Sequence, residues 1–196
     1  TVPALAEHDF SHNNIDGVEA QTRPKDGIIT ETTSYDFDTE GNLETITLPS
    51  TKVISHSYID GLLDQTTTPE GITSYSYTCN GKIDTISEST EGVGYGYDGS
   101  LLKTISYSGS LNQSISYSYN DDFNITAITY AGSTSSYNYD GDSLLTIANG
   151  YTISRNVSNG LSEGLSNADL SQTHSYNSYG ETESVSTQVN GNTIYA

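Results

Sequence analysis

Apolar and polar residues alternate with a period of two over short stretches of this chain, and tight polar turns separate the stretches. The clearest case is SYSYTCNGKIDTISE, residues 74–88, in which Tyr75 and Tyr77 precede an Asn80-Gly81 turn and a returning isoleucine-bearing run. Alternation predicts a half-buried strand, and Asn-Gly between two such runs is typical of a hairpin turn. The segment therefore predicts a β-hairpin.

The same pattern recurs along the chain. Clear copies occupy residues 34–48, 56–67, 74–87, 94–107, 116–130 and 136–149, a degenerate copy covers 151–164, and a last one covers 174–186. The second aromatic residue of the clear copies recurs in steps of 21, 19, 20, 22 and 20 residues. A fixed period of this kind indicates a repeat architecture. We expect an all-β fold of about eight antiparallel hairpins in a spiralling or solenoid-like sheet.

Each clear copy pairs aromatic residues with a Leu/Ile-x-x-Ile/Thr return. The expected repeat core is Tyr35, Phe37, Leu43, Ile46, Tyr58, Leu63, Tyr75, Tyr77, Ile83, Ile86, Tyr95, Tyr97, Leu102, Ile105, Tyr117, Tyr119, Ile125, Ile128, Tyr137, Tyr139, Leu144 and Ile147. A flat strand places positions i and i+3 on opposite faces. Either the first residue closes the mouth of the turn, which we favour, or a bulge reorients the strand. The spacing to the first Leu or Ile alternates between six and five residues, which predicts two alternating turn types.

Residues 1–33 do not carry the repeat. Two of the four prolines, Pro3 and Pro24, lie there. We expect an irregular N-terminal arm or strand, with one strand near residues 28–32, before a repeat array over 34–196 that is degenerate at 151–170. His8 and His12 would share a face of a helix and could bind zinc, but the segment has no helical apolar stripe.

The charge balance excludes several partners. Six Lys and Arg face 25 Asp and Glu, for a net charge of −19. A chain of this charge repels phosphate backbones and anionic membrane surfaces. No run is long and apolar enough for a membrane span. The lone Cys79 cannot form an internal disulfide and is expected to be a turn residue. The chain starts at Thr, so we expect a processed or excised piece of something longer.

Carboxylates recur in the predicted turns. Asp36, Asp38, Glu40, Asp140 and Asp142 could contribute oxygen ligands to calcium. Asp also favours turns simply because it bonds its own backbone, and that interpretation is preferred here. We expect no cofactor, with calcium as the alternative. The chain shows no distinguished carboxylate pair, no G-x-S-x-G elbow and no phosphate loop, so we expect no enzyme.

The segments GYGYDGSLLKTI and SYNYDGDSLLTI resemble the YD-repeat, or Rhs-repeat, family, and SYDFDTEGNLETIT is similar with Phe for the second Tyr. The likeness covers about residues 34–186. It implies a long sheet of hairpins wound in a spiral, as in the hollow shells of bacterial polymorphic toxins, toxin complexes and teneurins. No D-P-x-G-L-like autoprotease motif of the toxin shells occurs in this chain.

The expected function is a non-catalytic extracellular structural or interaction protein, a YD-repeat segment of a β-shell or of a self-assembling surface structure or filament. Its expected partners are itself or further YD repeats of a longer parent chain, without nucleic acid or membrane insertion. The alternative is a carbohydrate-binding adhesin module. In the structural interpretation tyrosines stack along the sheet, and in the adhesin one tyrosine of each pair faces outward to hold sugars.

Overall fold

The fold is all-β, as the sequence predicts. The computed structural model describes residues 8–14, 17–25 and 29–195, and these contain nineteen strands and no helix. In chain order the strands are β1 Asp9–His12, β2 Val18–Lys25, β3 Ile29–Phe37, β4 Leu43–Thr47, β5 Val53–Ile59, β6 Leu62–Thr68, β7 Gly71–Tyr77, β8 Ile83–Glu88, β9 Glu91–Asp98, β10 Leu101–Ser108, β11 Gln113–Tyr119, β12 Ile125–Tyr130, β13 Ser133–Tyr139, β14 Leu145–Ala148, β15 Tyr151–Arg155, β16 Ser162–Ser166, β17 Leu170–Tyr176, β18 Thr182–Val189 and β19 Asn192–Tyr195.

The strands belong to one sheet, and the chain divides into two compact units. Unit 1 comprises Thr1–Tyr95 and Tyr107–Asn112, and unit 2 comprises Gly96–Ser106 and Gln113–Ala196. Within unit 1, each strand from β1 to β9 pairs antiparallel with the next in sequence. Within unit 2, β11 to β19 pair in the same way. Each unit is therefore a meander of hairpins.

Strand pairing sorts the side chains onto two faces, because alternate residues of a strand point to opposite sides. One side, here called the aromatic face, carries the repeat tyrosines and the Leu and Ile residues opposite them. The other, the hydroxyl face, carries mainly Ser and Thr, which hydrogen-bond across strands at 2.7–2.8 Å in the pairs Ser76–Thr85, Thr129–Thr134 and Ser175–Ser184. Both tyrosines of a pair lie two residues apart and share the aromatic face. The outward-facing tyrosine of the adhesin interpretation would therefore lie on the same face as its neighbour in the pair.

A β-bulge in the described hairpins explains the i, i+3 spacing. In the β7–β8 hairpin Tyr77 lies opposite Ile83 and Tyr75 lies opposite Ile86, with a register shift between Ser76 and Tyr77. The extra residue on β8 brings both isoleucines to the aromatic face. The shift recurs in β3–β4, β5–β6, β11–β12, β13–β14, β15–β16 and β17–β18. The bulge that we disfavoured is thus the observed solution.

The described part of the N-terminal region is more regular than the irregular arm or strand that its prolines suggested. Strands β1 and β2 form a hairpin with the same bulge, in which His12 lies opposite Val18 and Phe10 opposite Gln21. Its turn is closed as in later copies, since the Asn13 N–H donates to the Gly17 carbonyl at 2.8 Å. This copy was not recognised in the sequence because other aromatic and polar residues occupy the positions that Tyr and Ile hold in later copies. Because β1 is a strand, His8 and His12 do not share a helical face.

The longer turns are organised by an Asp or Asn at their first position. The carboxylate or amide oxygen of Asp38, Asn120, Asp140 or Asn177 accepts backbone N–H groups two and four residues ahead, at 2.8–3.1 Å. The fourth position has positive φ and is Gly41, Ser143 or Gly180 in three of these turns, and Gly81 holds it in the turn that Thr78 begins. Phe123 takes this conformation with φ of 63°. A non-glycine residue there costs about 1–2 kcal/mol.

The sixth copy departs from the predicted core. Asp140 caps a five-residue turn that holds Leu144, so β14 begins at Leu145, which lies opposite Tyr139. Ala148 lies opposite Tyr137, and Ile147 falls on the hydroxyl face opposite Asn138. A one-residue shift reverses the face of every side chain. The strict alternation of turn lengths therefore ends in this copy.

The sheet has no enclosed core. Within the described residues no hydrophobic side chain is fully buried, and Gly164 alone falls in the buried class. Most apolar residues of the aromatic face are half-buried by their neighbours within the face, whereas Ile83 and Tyr130 are exposed. No helix that could cross a membrane occurs in the part of the chain that the structure describes.

Candidate functional site: the tyrosine ladder

The second tyrosine of the repeat makes one recurrent contact. Its hydroxyl donates a hydrogen bond to a main-chain carbonyl of the preceding hairpin, and we call this series the tyrosine ladder. The bonds run from Tyr58 to Leu43 (2.9 Å), Tyr77 to Leu63 (2.9 Å), Tyr119 to Leu102 (2.7 Å), Tyr139 to Ile125 (2.9 Å) and Tyr176 to Ser162 (2.7 Å). All are short enough to be well-formed hydrogen bonds.

The ladder occupies the places where backbone pairing between consecutive hairpins has ended. Strands β4 and β5 pair as far as Thr45 opposite Ser55. The Tyr58 hydroxyl then binds the carbonyl of Leu43, two residues beyond that last pair. The same offset holds at β6–β7, β12–β13 and β16–β17. Each tyrosine therefore satisfies a carbonyl that the diverging backbones leave unpaired, for about 1 kcal/mol per bond.

Arg155 replaces the tyrosine in the degenerate copy. Strands β14 and β15 pair as far as Ile147 opposite Thr152, and the Arg155 Nε donates to the Leu145 carbonyl at 3.3 Å. Its Nη1 also donates to the Gly160 carbonyl at 3.1 Å. The guanidinium thus binds the carbonyl that a ladder tyrosine would bind at this position, and it also stabilises the turn that follows β15.

The first tyrosine of the pair has a different environment. Tyr35, Tyr75, Tyr117 and Tyr137 lie opposite Ile46, Ile86, Ile128 and Ala148, and their hydroxyls have no hydrogen-bond partner among the described residues. His174 and Tyr176 form an edge-on ring contact with their centroids 6.5 Å apart. The ladder is therefore held by hydroxyl–carbonyl bonds, and the stacking of tyrosines along the sheet stays a prediction.

The acidic candidates for calcium are used mainly by their own turns. Asp38 accepts from the Asn42 side chain and from the Asn42 and Glu40 amides, and these bonds hold the pKa of its carboxyl below the usual value. Asp36 accepts from Thr45 across the hydroxyl face at 2.8 Å. Asp140 caps its turn, whereas Glu40 and Asp142 are exposed at turn tips. No group of three or more His, Cys, Asp or Glu that could hold a metal occurs among the described residues.

The remaining reactive side chains have structural partners. His56 contacts Thr66 across β5–β6 at 3.1 Å, and His174 contacts Gln172 at 3.0 Å. Both lie on the aromatic face, half-buried. Cys79 is an exposed thiol at a turn tip.

A model of one protein family matches the whole chain. That family is described as Teneurin YD-shell, and the match covers residues 1–196. The chain belongs to this family. The match extends through the N-terminal region, in agreement with the YD-shell hairpin that β1 and β2 form there.

Solved structures share the fold of this YD-shell chain. The crystal structure titled TcdB2-TccC3-TEV superimposes with a TM-score of 0.61 at 17% identity over 94% of this chain. A TcdB2-TccC3 structure without its hypervariable C-terminal region gives 0.60 at 16% identity over 94%, and the Photorhabdus luminescens Tc holotoxin pore gives 0.57 at 16% over 91%. The chain spans 11% of the length of each of these chains. No curated protein matches its sequence.

Two structural residues of this YD-shell chain were missed by reasoning from the sequence: Arg155, which belongs to the ladder, and Asn13, which closes a turn. Arg155 was missed because it carries no aromatic signature, yet it lies three residues after the last inter-hairpin pair, as each ladder tyrosine does. Asn13 was missed because the turn it closes follows Phe10 and His12 in place of two tyrosines. A search for a capping Asn or Asp directly after an aromatic-x-aromatic pattern could have found it.

Proposed function

We propose that this chain is a non-catalytic wall segment of a β-shell, working outside the cell or at its surface. The observation that carries the proposal is the partly exposed aromatic face. A sheet normally buries its apolar face against a second layer. Here the apolar side chains of the described residues all keep some exposure to solvent. Contents or neighbouring walls of a shell would cover that face.

The partners in this proposal are further YD repeats of a longer chain, or copies of this one. Successive hairpins here join by antiparallel pairing, as β18 joins β19. Additional hairpins would extend the wall by the same pairing and the same hydroxyl–carbonyl bonds. The resemblance to chains about nine times longer supports a parent protein of this kind, since 11% of each is matched. No cofactor is part of the proposal.

The test is a pair of mass measurements on protein isolated from its natural source with an antibody against this chain. A denatured polypeptide far above 21.0 kDa is expected for a shell wall. A native particle many times heavier than a denatured chain of 21.0 kDa would instead support a self-assembling surface structure. If both masses equal that of one chain, the proposal is wrong.

The second candidate is carbohydrate binding. The hydroxyls of Tyr35, Tyr75, Tyr117 and Tyr137 have no partner among the described residues and would be available to sugars, which also stack on aromatic rings. Glycan-dependent quenching of tyrosine fluorescence, lost in Tyr117→Ala, would support this candidate. Unchanged fluorescence across a glycan panel would remove it.

A further inference from the structure

A groove opens between two neighbouring turns of unit 2, at the end of the hairpins where the tyrosines lie. It has a volume of about 640 Å³ between the turns at residues 140–144 and 156–160. Leu144, Ile153 and Val157 supply its apolar lining, and Asp140 and Asp142 supply carboxylates. Arg155 also lines the groove. Because its guanidinium binds the Leu145 and Gly160 carbonyls on the two sides, the groove is fixed before any partner arrives.

Apolar side chains stand exposed on both sides of this groove. Val157 is fully exposed, Tyr179 is 88% exposed and Phe123 is 69% exposed. Their turns adjoin one another: the Asn124 amide donates to Ser143 Oγ at 2.9 Å, and the Leu161 side chain packs beside Gly180. Exposed apolar side chains that are grouped on adjoining turns and rimmed by polar residues are typical of interaction surfaces.

The backbone of Phe123, beside the groove, has an unfavourable conformation for an aromatic residue. It holds a positive-φ position that other turns fill with Gly41, Gly81 and Gly180 and that the small Ser143 fills in the adjacent turn. A bulky aromatic residue is the least suited of these to that backbone. Backbone strain of this kind is retained mainly at functional positions. The exposed Phe123 ring adds little to packing within the chain, so a role in binding would explain why the strain is retained.

The charge around the groove is negative. From residue 120 to the end of the chain Arg155 is the only Lys or Arg, and its N–H groups are engaged with carbonyls. Asp121, Asp122 and Asp142 are exposed at the adjacent turn tips and form no ion pair within the described residues. The groove therefore has two carboxylates and one guanidinium, and the neighbouring turn adds the carboxylates of Asp121 and Asp122.

We infer that this groove, with Phe123 and Tyr179 on its flanks, docks a cationic polypeptide segment that carries aliphatic side chains. Lysine or arginine side chains would meet the aspartates, and aliphatic groups would enter between Leu144 and Val157. A second copy of this chain is disfavoured because both copies carry a net charge of −19. Nucleic acid and anionic lipid are disfavoured for the same reason.

The test measures binding of a fluorescent peptide made of four Lys-Leu-Gly units to the full chain by anisotropy. We expect Phe123→Gly and Val157→Ser each to weaken its affinity about tenfold, as for aromatic and apolar anchors in other interfaces. Asp142→Asn should weaken it less. Phe123→Gly also relieves the strained backbone, so a loss of binding without a lower unfolding midpoint would separate docking from folding.

Four results could overturn the inference. Ile194→Ser, at a 66% exposed position in β19, is the matched control and should leave the affinity unchanged. Equal binding of a Lys-Ser-Gly peptide would mean attraction by charge alone. Failure of the Lys-Leu-Gly peptide to bind, or self-association of the chain that Phe123→Gly abolishes, would also contradict it.

Discussion

At the scale of single residues, the two tyrosines of a repeat look alike in sequence and differ in structure. Tyr139 donates to the Ile125 carbonyl, whereas the Tyr137 hydroxyl has no partner among the described residues. We expect Tyr139→Phe to lower the free energy of unfolding by about 1 kcal/mol, because a half-buried carbonyl loses its donor. Tyr137→Phe is the matched control and should change it little. Urea denaturation of both variants measures the difference, and equal effects would mean that the ladder bond adds nothing.

Phe37 is an aromatic residue without a hydroxyl at a ladder position. Its strand β3 pairs with β2 as far as Ala20 opposite Ser34, so the equivalent acceptor is the Val18 carbonyl. We expect Phe37→Tyr to stabilise the chain by about 0.5–1 kcal/mol through the missing bond. Phe10→Tyr, at a first-aromatic position, is the control and should give no gain. A neutral or destabilising Phe37→Tyr would show that the carbonyl of Val18 is not placed as in later copies.

Asp38 makes stability depend on acid. Hydrogen bonds from the Asn42 side chain and from backbone amides lower the pKa of its carboxyl in the folded state. The ionised Asp38 carboxyl therefore stabilises the fold fully at any pH above the pKa that it has in the unfolded chain. This stabilisation is lost as the pH falls through the lower pKa that it has in the folded chain. Asp38→Asn keeps an oxygen acceptor without a titrating group. Between about pH 5 and pH 2 its urea midpoint should fall less than that of the wild type. An equal fall would contradict this role.

At the scale of elements, the hairpins and their strands could be predicted because alternation and Asn-Gly or Asp-Gly turns are local signals. Their registers could not. The shift in the sixth copy depends on whether Asp140 caps a five-residue turn or a shorter one, and the letters DGDSL permit both. The N-terminal hairpin was not recognised because Phe10 and Gln21 occupy positions held elsewhere by Tyr and Ile. Pairing with neighbours, which the local sequence does not encode, decides these cases.

Arg155 allows a test of how the degenerate copy keeps the repeat fold without a ladder tyrosine. Its guanidinium reaches both β14 and the turn that follows β15. We expect Arg155→Ala to lower the free energy of unfolding by about 1–3 kcal/mol, since two carbonyls lose a charged donor. Arg155→Tyr should recover part of that loss through the Leu145 carbonyl alone. If Arg155→Tyr is no better than Arg155→Ala, this position is not equivalent to the ladder tyrosines.

At the scale of the whole molecule, stability rests on contacts between strands adjacent in sequence. Strand pairs with several contacts are all sequence neighbours, and no described hydrophobic side chain is fully buried. In such repeat proteins each repeat is stabilised mainly by its nearest neighbours, so a substitution that weakens one interface destabilises only the adjacent repeats. The candidate surfaces follow the same logic, since the ladder and the groove of unit 2 are each built by consecutive hairpins. Sequence periodicity could reveal the array, whereas the groove depends on turn geometry that only the folded chain shows.

Gly164 provides the test of this locality. It is buried where β16 meets β17, and a Cβ there would lie 2.7 Å from the Gln172 carbonyl oxygen. Gly164→Ala should therefore force β16 and β17 apart, because backbone cannot yield as a flexible side chain does. We expect hydrogen exchange to accelerate in β15–β17, while amides of β5–β8 in unit 1 keep their protection. Gly61→Ala, in an open turn with positive φ, is the control and should disturb only β5 and β6. Loss of protection throughout the chain after Gly164→Ala would show that the sheet unfolds as one cooperative body, and the nearest-neighbour description would then be wrong.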